Sequence, residues 1–400
     1  MTDQPDHYQS SSIDLRALVA ARVCTSAVFM TYPACLNVLL VEWEMTATEA
    51  GTIQGAFMAA FAISLLLSSF LCDRVGAKRV FNWATLLSAI SALLFAGFAR
   101  SFEAGLLCVL LMGIFQGGTY TPAIMLVSAN TDESRRGAAV GWVLAGMSAG
   151  YVVSISLAAP LTSLFDYRIA FGATAGITVL GWIMGHIATR HARNTATPSP
   201  TGMKSKAPIT NRRSVLLTIG YIGHSWELLG VWAWIPAFLA AAVLSRGTMS
   251  GIELGLWTAL CLHVSGFFSS FLSGYAADRF GARPVLIGFA LLGSASTLSI
   301  GWMSMASIPA LFAMAFLVGF ASIGDLSVLS SQMTSAVPED RLGRALGIRS
   351  ILGIGSGSVS PVVFGVALDS FSVDQGWGWA FATLALGGML AALCAALLKR

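Results

Sequence analysis

The chain has 400 residues, of which 56% are hydrophobic and only 10% are charged, with a formal net charge of +4. A soluble domain carries about 25% charged residues, and a chain this apolar would expose aggregation-prone patches, so the composition excludes an ordinary soluble protein. So small a net charge gives no indication of nucleic-acid binding, and no nucleic-acid partner is expected. Apolar runs long enough to cross about 30 Å of hydrocarbon recur without the alternation of membrane strands, which predicts an all-α membrane protein.

The first 15 residues are polar and lack the basic start and small-residue cleavage site of a secretory signal. They are expected to form a tail, and the first apolar run is expected to remain as a helix. Twelve transmembrane helices are predicted, at roughly 16–41, 49–72, 80–98, 104–129, 138–160, 168–188, 214–241, 251–277, 285–304, 309–336, 345–368 and 376–398.

The segment 189–213 is basic, rich in Pro, Ser and Thr, and poor in large apolar residues. This composition indicates a linker between a six-helix bundle over 16–188 and a second one over 214–400.

Basic residues predict the orientation of the helices, because Lys and Arg are retained on the cytoplasmic side of a membrane. If both termini are cytoplasmic, 18 of the 23 Lys and Arg residues fall in the inner segments, and only Arg100, Arg168 and Arg246 fall in outer loops. We therefore expect a multi-pass protein of the cell (inner) membrane with both termini and the linker in the cytoplasm.

One motif occurs twice, as DRVGAKR at 73–79 and as DRFGAR at 278–283, with an offset of 205 residues. A second pair, DESRRGAAVG ending at Gly141 and PEDRLGRALG ending at Gly347, repeats with nearly the same offset. Two anchors with one offset indicate a duplicated six-helix unit, which is one way secondary transporters are built.

These loops, between helices 2 and 3 and between helices 8 and 9, resemble the signature of the major facilitator superfamily, and the twelve-helix frame is similar over the full length. The resemblance implies two pseudo-symmetric six-helix bundles that carry a solute by alternating access. The protein is expected to function as a monomer. It implies that helices 1, 4, 7 and 10 line the centre and that helices 2, 5, 8 and 11 form the interface between the bundles. It also implies a gating role for the loop residues Asp73, Arg74, Gly76, Arg79, Asp278, Arg279 and Gly281.

The residue types in the two loops also predict their local structure. Gly76 and Gly281 permit a tight turn, and Asp73 and Asp278 can cap a neighbouring helix N-terminus, where the helix dipole favours negative charge. Asp73 is expected to pair with Arg349, one turn into helix 11, when the inner side is closed. The alternative is a loop that only directs membrane insertion.

Ionisable side chains at bilayer depth are costly and are functional candidates by default. Once the acidic residues of the tail and loops are assigned, only Glu227 on helix 7 and Asp325 on helix 10 remain in mid-membrane. His224 lies three residues before Glu227, so the two share a helix face. The alternative for this pair is a purely structural buried contact between helices.

Arg22 on helix 1 maps onto Glu227 when the offset of 205 is added. We expect the two side chains to face each other or to face one substrate, with the Arg22 guanidinium as a rigid fork for a carboxylate. The alternative is that Arg22 extends toward the lipid headgroups.

Four further residues are candidates on the central helices or beside them. Gln116 and Tyr120 on helix 4 and Trp234 on helix 7 are expected to contact substrate, as are His224 and Asp325. His263 on helix 8 is expected to assist Glu227, His224 and Asp325 in proton coupling. The alternatives are interhelical hydrogen bonding for Gln116, Tyr120 and His263 and an interfacial position for Trp234.

The first function hypothesis is a non-enzymatic carrier of a small organic solute, an anion bound by Arg22, with proton coupling through Glu227. Burial favours the neutral form of a carboxylic acid and a nearby cation favours its ionised form, and a proton carrier needs that balance. The runner-up is proton-driven efflux of amphiphilic or cationic drugs, with Trp234 stacking on the cation.

Two other classes are less favoured. Transition-metal transport would use soft ligands, but no regular metal-ligand spacing occurs on helices 7 and 8, so no metal site is expected. A non-transporting sensor would need an extra domain. The six cysteines form no CxxC pair and are expected to be free thiols, and no cofactor is implied.

Overall fold

The computed structural model describes residues 13–194, 210–244, 246–247 and 249–398, and within these ranges the chain is helical with no strand. In chain order, the twelve spans are α1 (Leu15–Ser26 and Thr31–Glu42), α2 (Ala47–Val75), α3 (Ala77–Phe98), α4 (Phe102–Ala129), α5 (Glu133–Leu164), α6 (Tyr167–Thr189), α7 (Arg212–Leu244), α8 (Gly251–Ala259, a π-helical segment Leu260–Val264, and Ser265–Phe280), α9 (Ala282–Ile300), α10 (Ile308–Gly324 and Leu326–Ala336), α11 (Glu339–Gly357 and Ser360–Ser370) and α12 (Val373–Leu397).

These spans confirm the twelve predicted helices, and each is long and apolar enough to cross a membrane. The structure differs from the prediction inside four of them. Breaks interrupt α1, α10 and α11, and a π-helical segment interrupts α8. Proline explains two of the breaks, because Pro33 and Pro361 have no N–H to donate to the carbonyl four residues earlier.

Both bundles place their chain ends on one face of the molecule, which we call the linker face. There the Asp14 amide donates to the Ala188 carbonyl, which joins the start of α1 to the end of α6. The Asn211 side chain donates to the Ala336 carbonyl, which joins the start of α7 to the end of α10. Most of the predicted linker lies outside the described residues, and so do most of the predicted N-terminal tail and the last two residues.

The two bundles approach each other closely at the opposite face, which we call the far face. Gly51 of α2 lies against the Pro361 carbonyl of α11, and Gly255 of α8 packs beside Pro160 of α5. Asp369, at the end of α11, accepts hydrogen bonds from the Ala47 and Thr48 amides at the start of α2, at 2.9 and 2.8 Å. The Thr48 hydroxyl donates to the same carboxylate at 2.6 Å. Asp369 therefore caps a helix of the other bundle.

Candidate functional site

Arg22 projects from α1 into the interior of the protein and is only 3% exposed. Its Nη1 donates to the Thr119 hydroxyl at 2.8 Å and to the Thr119 carbonyl at 3.3 Å, so α4 fixes the guanidinium. The other guanidinium nitrogens have no hydrogen-bond partner among the described residues. Tyr120 and Tyr151 both lie within electrostatic reach of the charge. This position differs from the headgroup-directed alternative.

Arg349 reaches the same region from α11 of the second bundle and is 5% exposed. Its guanidinium lies 4.3 Å from the centre of the Tyr221 ring, and Nη2 donates to the Ser330 hydroxyl at 3.1 Å. Its Nε and Nη1 are buried and have no hydrogen-bond partner within the described part of the chain. A buried donor left unpaired costs about 1–3 kcal/mol, so these two groups are suited to an anionic ligand.

Tyr120 connects the two arginines, since it lies within electrostatic reach of both guanidinium groups and of Tyr221. Its side chain is partly exposed although it lies midway along α4. We refer to Arg22, Tyr120, Tyr151, Tyr221 and Arg349 as the central site. It receives one arginine from each bundle.

A buried pair lies beside the central site. His224 Nδ1 of α7 is 2.7 Å from Asp325 Oδ1 of α10, and both side chains are almost completely buried. Asp325 occupies the break in α10, and the Tyr221 ring stacks on His224 at 5.7 Å between ring centres. Arg349, Tyr221, His224 and Asp325 therefore form one continuous row across three helices.

Glu227 is not where the repeat predicted it. Its Oε1 accepts a hydrogen bond from the Thr297 hydroxyl of α9 at 2.7 Å. Both oxygens lie against Gly293 of α9, and Oε2 also lies against Gly388 of α12. The expectation that Glu227 and Arg22 face each other is corrected, because Arg22 is held by Thr119 in the other bundle. The carboxyl is buried between helices of its own bundle.

Two predicted substrate contacts are likewise placed in helix packing. Trp234 is 0% exposed, donates from Nε1 to the Pro361 carbonyl at 3.0 Å and stacks on Phe364. It is neither a wall of the central site nor an interfacial tryptophan. Gln116 donates to the Thr25 carbonyl and the Ser88 hydroxyl, each at 2.8 Å, which is the interhelical hydrogen bonding of its alternative.

Four aromatic side chains from both bundles close the far side of the central site. Phe29 stacks on Tyr151 at 4.5 Å between ring centres, and Trp232 lies 5.5 Å from Tyr151 and 5.4 Å from His263. We call Phe29, Tyr151, Trp232 and His263 the aromatic plug. Of these four residues, only His263 was predicted from the sequence as a candidate. His263 lies in the π-helical segment of α8, and its buried Nε2 has no partner in the described structure.

The repeated loops lie on the linker face. Gly76 and Gly281 have φ of 87° and 86°, a conformation that favours glycine, and both end one helix and begin the next. Asp73, Arg74, Arg79, Asp278 and Arg279 are exposed. Within the described residues Asp73 forms no ion pair with Arg349, which contacts Tyr221 and Ser330 instead. The expected pair belongs to a closed inner side and stays a prediction.

The buried charged groups at the centre differ in whether their polar atoms have partners. Of the two mid-membrane carboxylates, Asp325 lies 2.7 Å from His224 Nδ1 and Glu227 is bonded to Thr297, whereas Arg349 retains two buried N–H groups without a partner among the described residues. No group of three His, Cys, Asp or Glu side chains close enough to hold a metal ion occurs in the ranges that the structure describes. The arrangement is suited to an anion.

Comparison with known proteins gives a consistent result. The family model of the Major Facilitator Superfamily matches residues 18–260 and 245–400. The chain is 26% identical over 344 residues to the "Probable 4-methylmuconolactone transporter" of Cupriavidus pinatubonensis, covering 80% of this chain and 77% of that protein. It is 26% identical over 355 residues to the "Probable sulfoacetate transporter SauU" of Cupriavidus necator, covering 82% and 80%.

The fold is also similar to a solved structure. A bacterial homologue of the human lysosomal transporter Spinster, in an inward-facing and occupied conformation, superposes with a TM-score of 0.81 at 16% identity, over 99% of this chain and 97% of that one. At this identity the likeness concerns the fold alone.

Proposed function

The chain belongs to the Major Facilitator Superfamily and is a multi-pass membrane transporter of small organic solutes, not an enzyme, and on this premise we propose that it carries an organic anion together with protons by alternating access. The observation that supports an anionic solute is Arg349, whose Nε and Nη1 are buried and have no partner among the described residues. An arginine fork matches the geometry of a carboxylate or sulfonate.

The charge at the central site argues against the runner-up, efflux of cationic drugs. A cation would need a free carboxylate, and both mid-membrane carboxylates already have partners. It would also lie beside two guanidinium groups, and like charges in a poorly hydrated site repel strongly. The names of the relatives support an anion, since sulfoacetate is an organic anion.

Proton coupling is assigned to the His224–Asp325 pair. With neutral His224 the pair carries one negative charge, and a proton on the pair removes that charge. Because Tyr221 joins the pair to Arg349, protonation makes the surroundings of Arg349 less negative and favours binding of the anion. Proton and anion then cross together. Glu227, the first candidate from the sequence, becomes the second candidate because it is bonded to Thr297 of its own bundle.

The distribution of contacts between the bundles supports alternating access. We take the linker face as cytoplasmic because the inner segments hold most of the Lys and Arg residues. The far face is then the outside, closed by the aromatic plug and by Asp369 on α2. Transport to or from the outside requires these contacts to separate while the loops of Asp73 and Asp278 close the inner face.

A binding screen tests the proposed solute class. The purified full-length protein is titrated with benzoate, cyclohexanecarboxylate, hexanoate and sulfoacetate, and with tetraphenylphosphonium as a lipophilic cation, and the melting temperature is measured. A bound solute stabilises the folded protein by mass action. We expect stabilisation by at least one of the anions and none by the cation. Stabilisation by tetraphenylphosphonium alone would overturn the proposal in favour of cation transport.

A further inference from the structure

The aromatic plug forms one wall of the central site. Trp232 packs on Phe29 of α1, Tyr151 of α5 and His263 of α8, so it faces the space between the bundles. Trp232 is partly exposed, whereas the neighbouring residues of α7, Val231 and Ala233, are buried. Its contact with Tyr151 places Trp232 directly beside the central site.

The wall lies next to the charge that binds the anion. Tyr151 is within electrostatic reach of Arg22 and Tyr120, and its hydroxyl has no hydrogen-bond partner among the described residues. The indole N–H of Trp232 is also without one. An anion whose carboxylate binds Arg22 therefore lies near Tyr151, and Trp232 packs on the Tyr151 ring.

Aromatic rings favour flat, polarisable groups over saturated ones of the same size, because stacked or edge-to-face rings gain energy beyond that of area burial. His263, whose buried Nε2 has no partner among the described residues, packs on Tyr151 and Trp232 in the same wall.

We propose that Tyr151 and Trp232 select the substrate, and that the solute is a planar conjugated carboxylate about one ring in size. This inference rests on the proposed function, since it assumes that Arg22 and Arg349 bind the carboxylate. It goes further because it assigns the selection of planar over puckered anions to Tyr151 and Trp232, which carry no charge.

The test compares benzoate with cyclohexanecarboxylate, which has the same charge and number of carbon atoms but a puckered ring. Dissociation constants are measured by titration calorimetry on wild-type protein. Benzoate should bind about fivefold or more tightly than cyclohexanecarboxylate, as expected for an aromatic contact. Equal affinities would overturn the inference and leave the proposed function intact. Failure of every carboxylate to bind would overturn both.

Variants test which residue causes the preference for benzoate over cyclohexanecarboxylate. Trp232→Leu should bring the ratio of the two dissociation constants close to one and change cyclohexanecarboxylate binding by no more than about threefold. Tyr151→Phe retains the ring and should retain the preference. Trp83→Leu, at a side chain that is 63% exposed on the outside of α3, is the matched control and should leave the ratio unchanged. A Trp232→Leu protein that binds cyclohexanecarboxylate and still prefers benzoate fivefold would contradict the assignment.

Discussion

Arg22 and Arg349 enter the central site from different bundles, and each is held by hydroxyl or aromatic groups instead of a carboxylate. A guanidinium held in this way keeps its charge available for a ligand. The sequence predicted this property for Arg22 but assigned Arg349 to the inner gate. The burial of Arg349 against Tyr221, which depends on the packing of α7 on α11, could not be derived from its place in the chain.

Replacing either arginine with lysine tests whether the guanidinium group binds the carboxylate through two hydrogen bonds. Lysine keeps the positive charge but offers a single point donor, so we expect Arg349→Lys and Arg22→Lys each to weaken carboxylate binding by about tenfold or more. Calorimetric titration with the tightest-binding carboxylate measures the change. Arg100→Lys, at an exposed arginine bonded only to backbone carbonyls, is the control. Unchanged affinity in Arg349→Lys would remove this residue from the binding site.

The two mid-membrane acids provide a matched pair for proton coupling. Asp325→Asn mimics a permanently neutral side chain beside His224, so gradient-driven accumulation should be lost while counterflow of labelled solute persists. Glu227→Gln can still accept the Thr297 hydrogen bond and should accumulate solute at near wild-type levels. Both assays are run in the same proteoliposomes, and melting temperatures report folding. The reverse result, with accumulation lost only in Glu227→Gln, would move coupling to Glu227.

The sequence predicts the depth of these two acids in the membrane but not their partners. Elimination of loop residues identified Glu227 and Asp325 correctly as the mid-membrane carboxylates, because only composition and helix boundaries were needed. Their partners were not predicted. Thr297 and Asp325 lie about 70 and 100 residues from their partners Glu227 and His224, and nothing in helix periodicity fixes which of several inward faces meet.

At the scale of helices, interruptions concentrate around the central site. Phe29 lies in the break of α1, Asp325 in the break of α10, and His263 in the π-helical segment of α8. Interruptions of this kind reorient side chains and are common at functional sites. Pro33 and Pro361 are sequence signals for two of the breaks. The π-helical segment has no proline, and its sequence is that of an ordinary apolar helix.

The contact of Asp369 with the start of α2 is expected to stabilise the conformation with the far face closed. A carboxylate that accepts amide hydrogen bonds at a helix N-terminus stabilises that contact, although exposure reduces the effect. Asp369→Asn should shift the population toward the state with an open far face, by roughly fivefold for a loss of about 1 kcal/mol. Double electron–electron resonance distances between labels at Leu164 and Ile252, both exposed at the far face, measure the shift.

The control for this variant is Glu103→Gln. Glu103 is an acid of the same face, bonded to Ser101 within its own bundle, and its replacement should leave the distance distribution unchanged. A wild-type distribution in Asp369→Asn would show that the contact does not set the equilibrium.

Asp73→Asn is expected to act in the opposite direction. If Asp73 pairs with Arg349 or caps α11 when the inner face closes, its neutralisation should favour the state with an open linker face. Labels at Arg136 and Thr334, which are exposed near the linker-face ends of α5 and α10, should then move apart on average. Unchanged distances would reduce the loop to a role in membrane insertion. Opposite shifts for Asp73→Asn and Asp369→Asn would show that the two ends are alternately closed.

At the scale of the whole molecule, the internal repeat predicted the architecture well and the chemistry poorly. The offset of 205 residues located both turning glycines, and Gly76 and Gly281 indeed have nearly the same backbone conformation. The same offset paired Arg22 with Glu227, which the structure separates. Repeated units keep backbone geometry because packing requires it, whereas side chains at the interface between bundles diverge to bind one asymmetric solute.

The measurement that tests the central claim most directly is solute uptake into proteoliposomes under an imposed proton gradient, with benzoate as the labelled solute and internal pH followed at the same time. We predict accumulation of benzoate above its equilibrium distribution, entry of protons with it, and loss of both on addition of a protonophore. Because benzoic acid also crosses lipid unaided, protein-free liposomes and Arg349→Lys proteoliposomes set the baseline. Uptake no greater than that baseline, together with gradient-driven movement of tetraphenylphosphonium, would contradict proton-coupled anion transport.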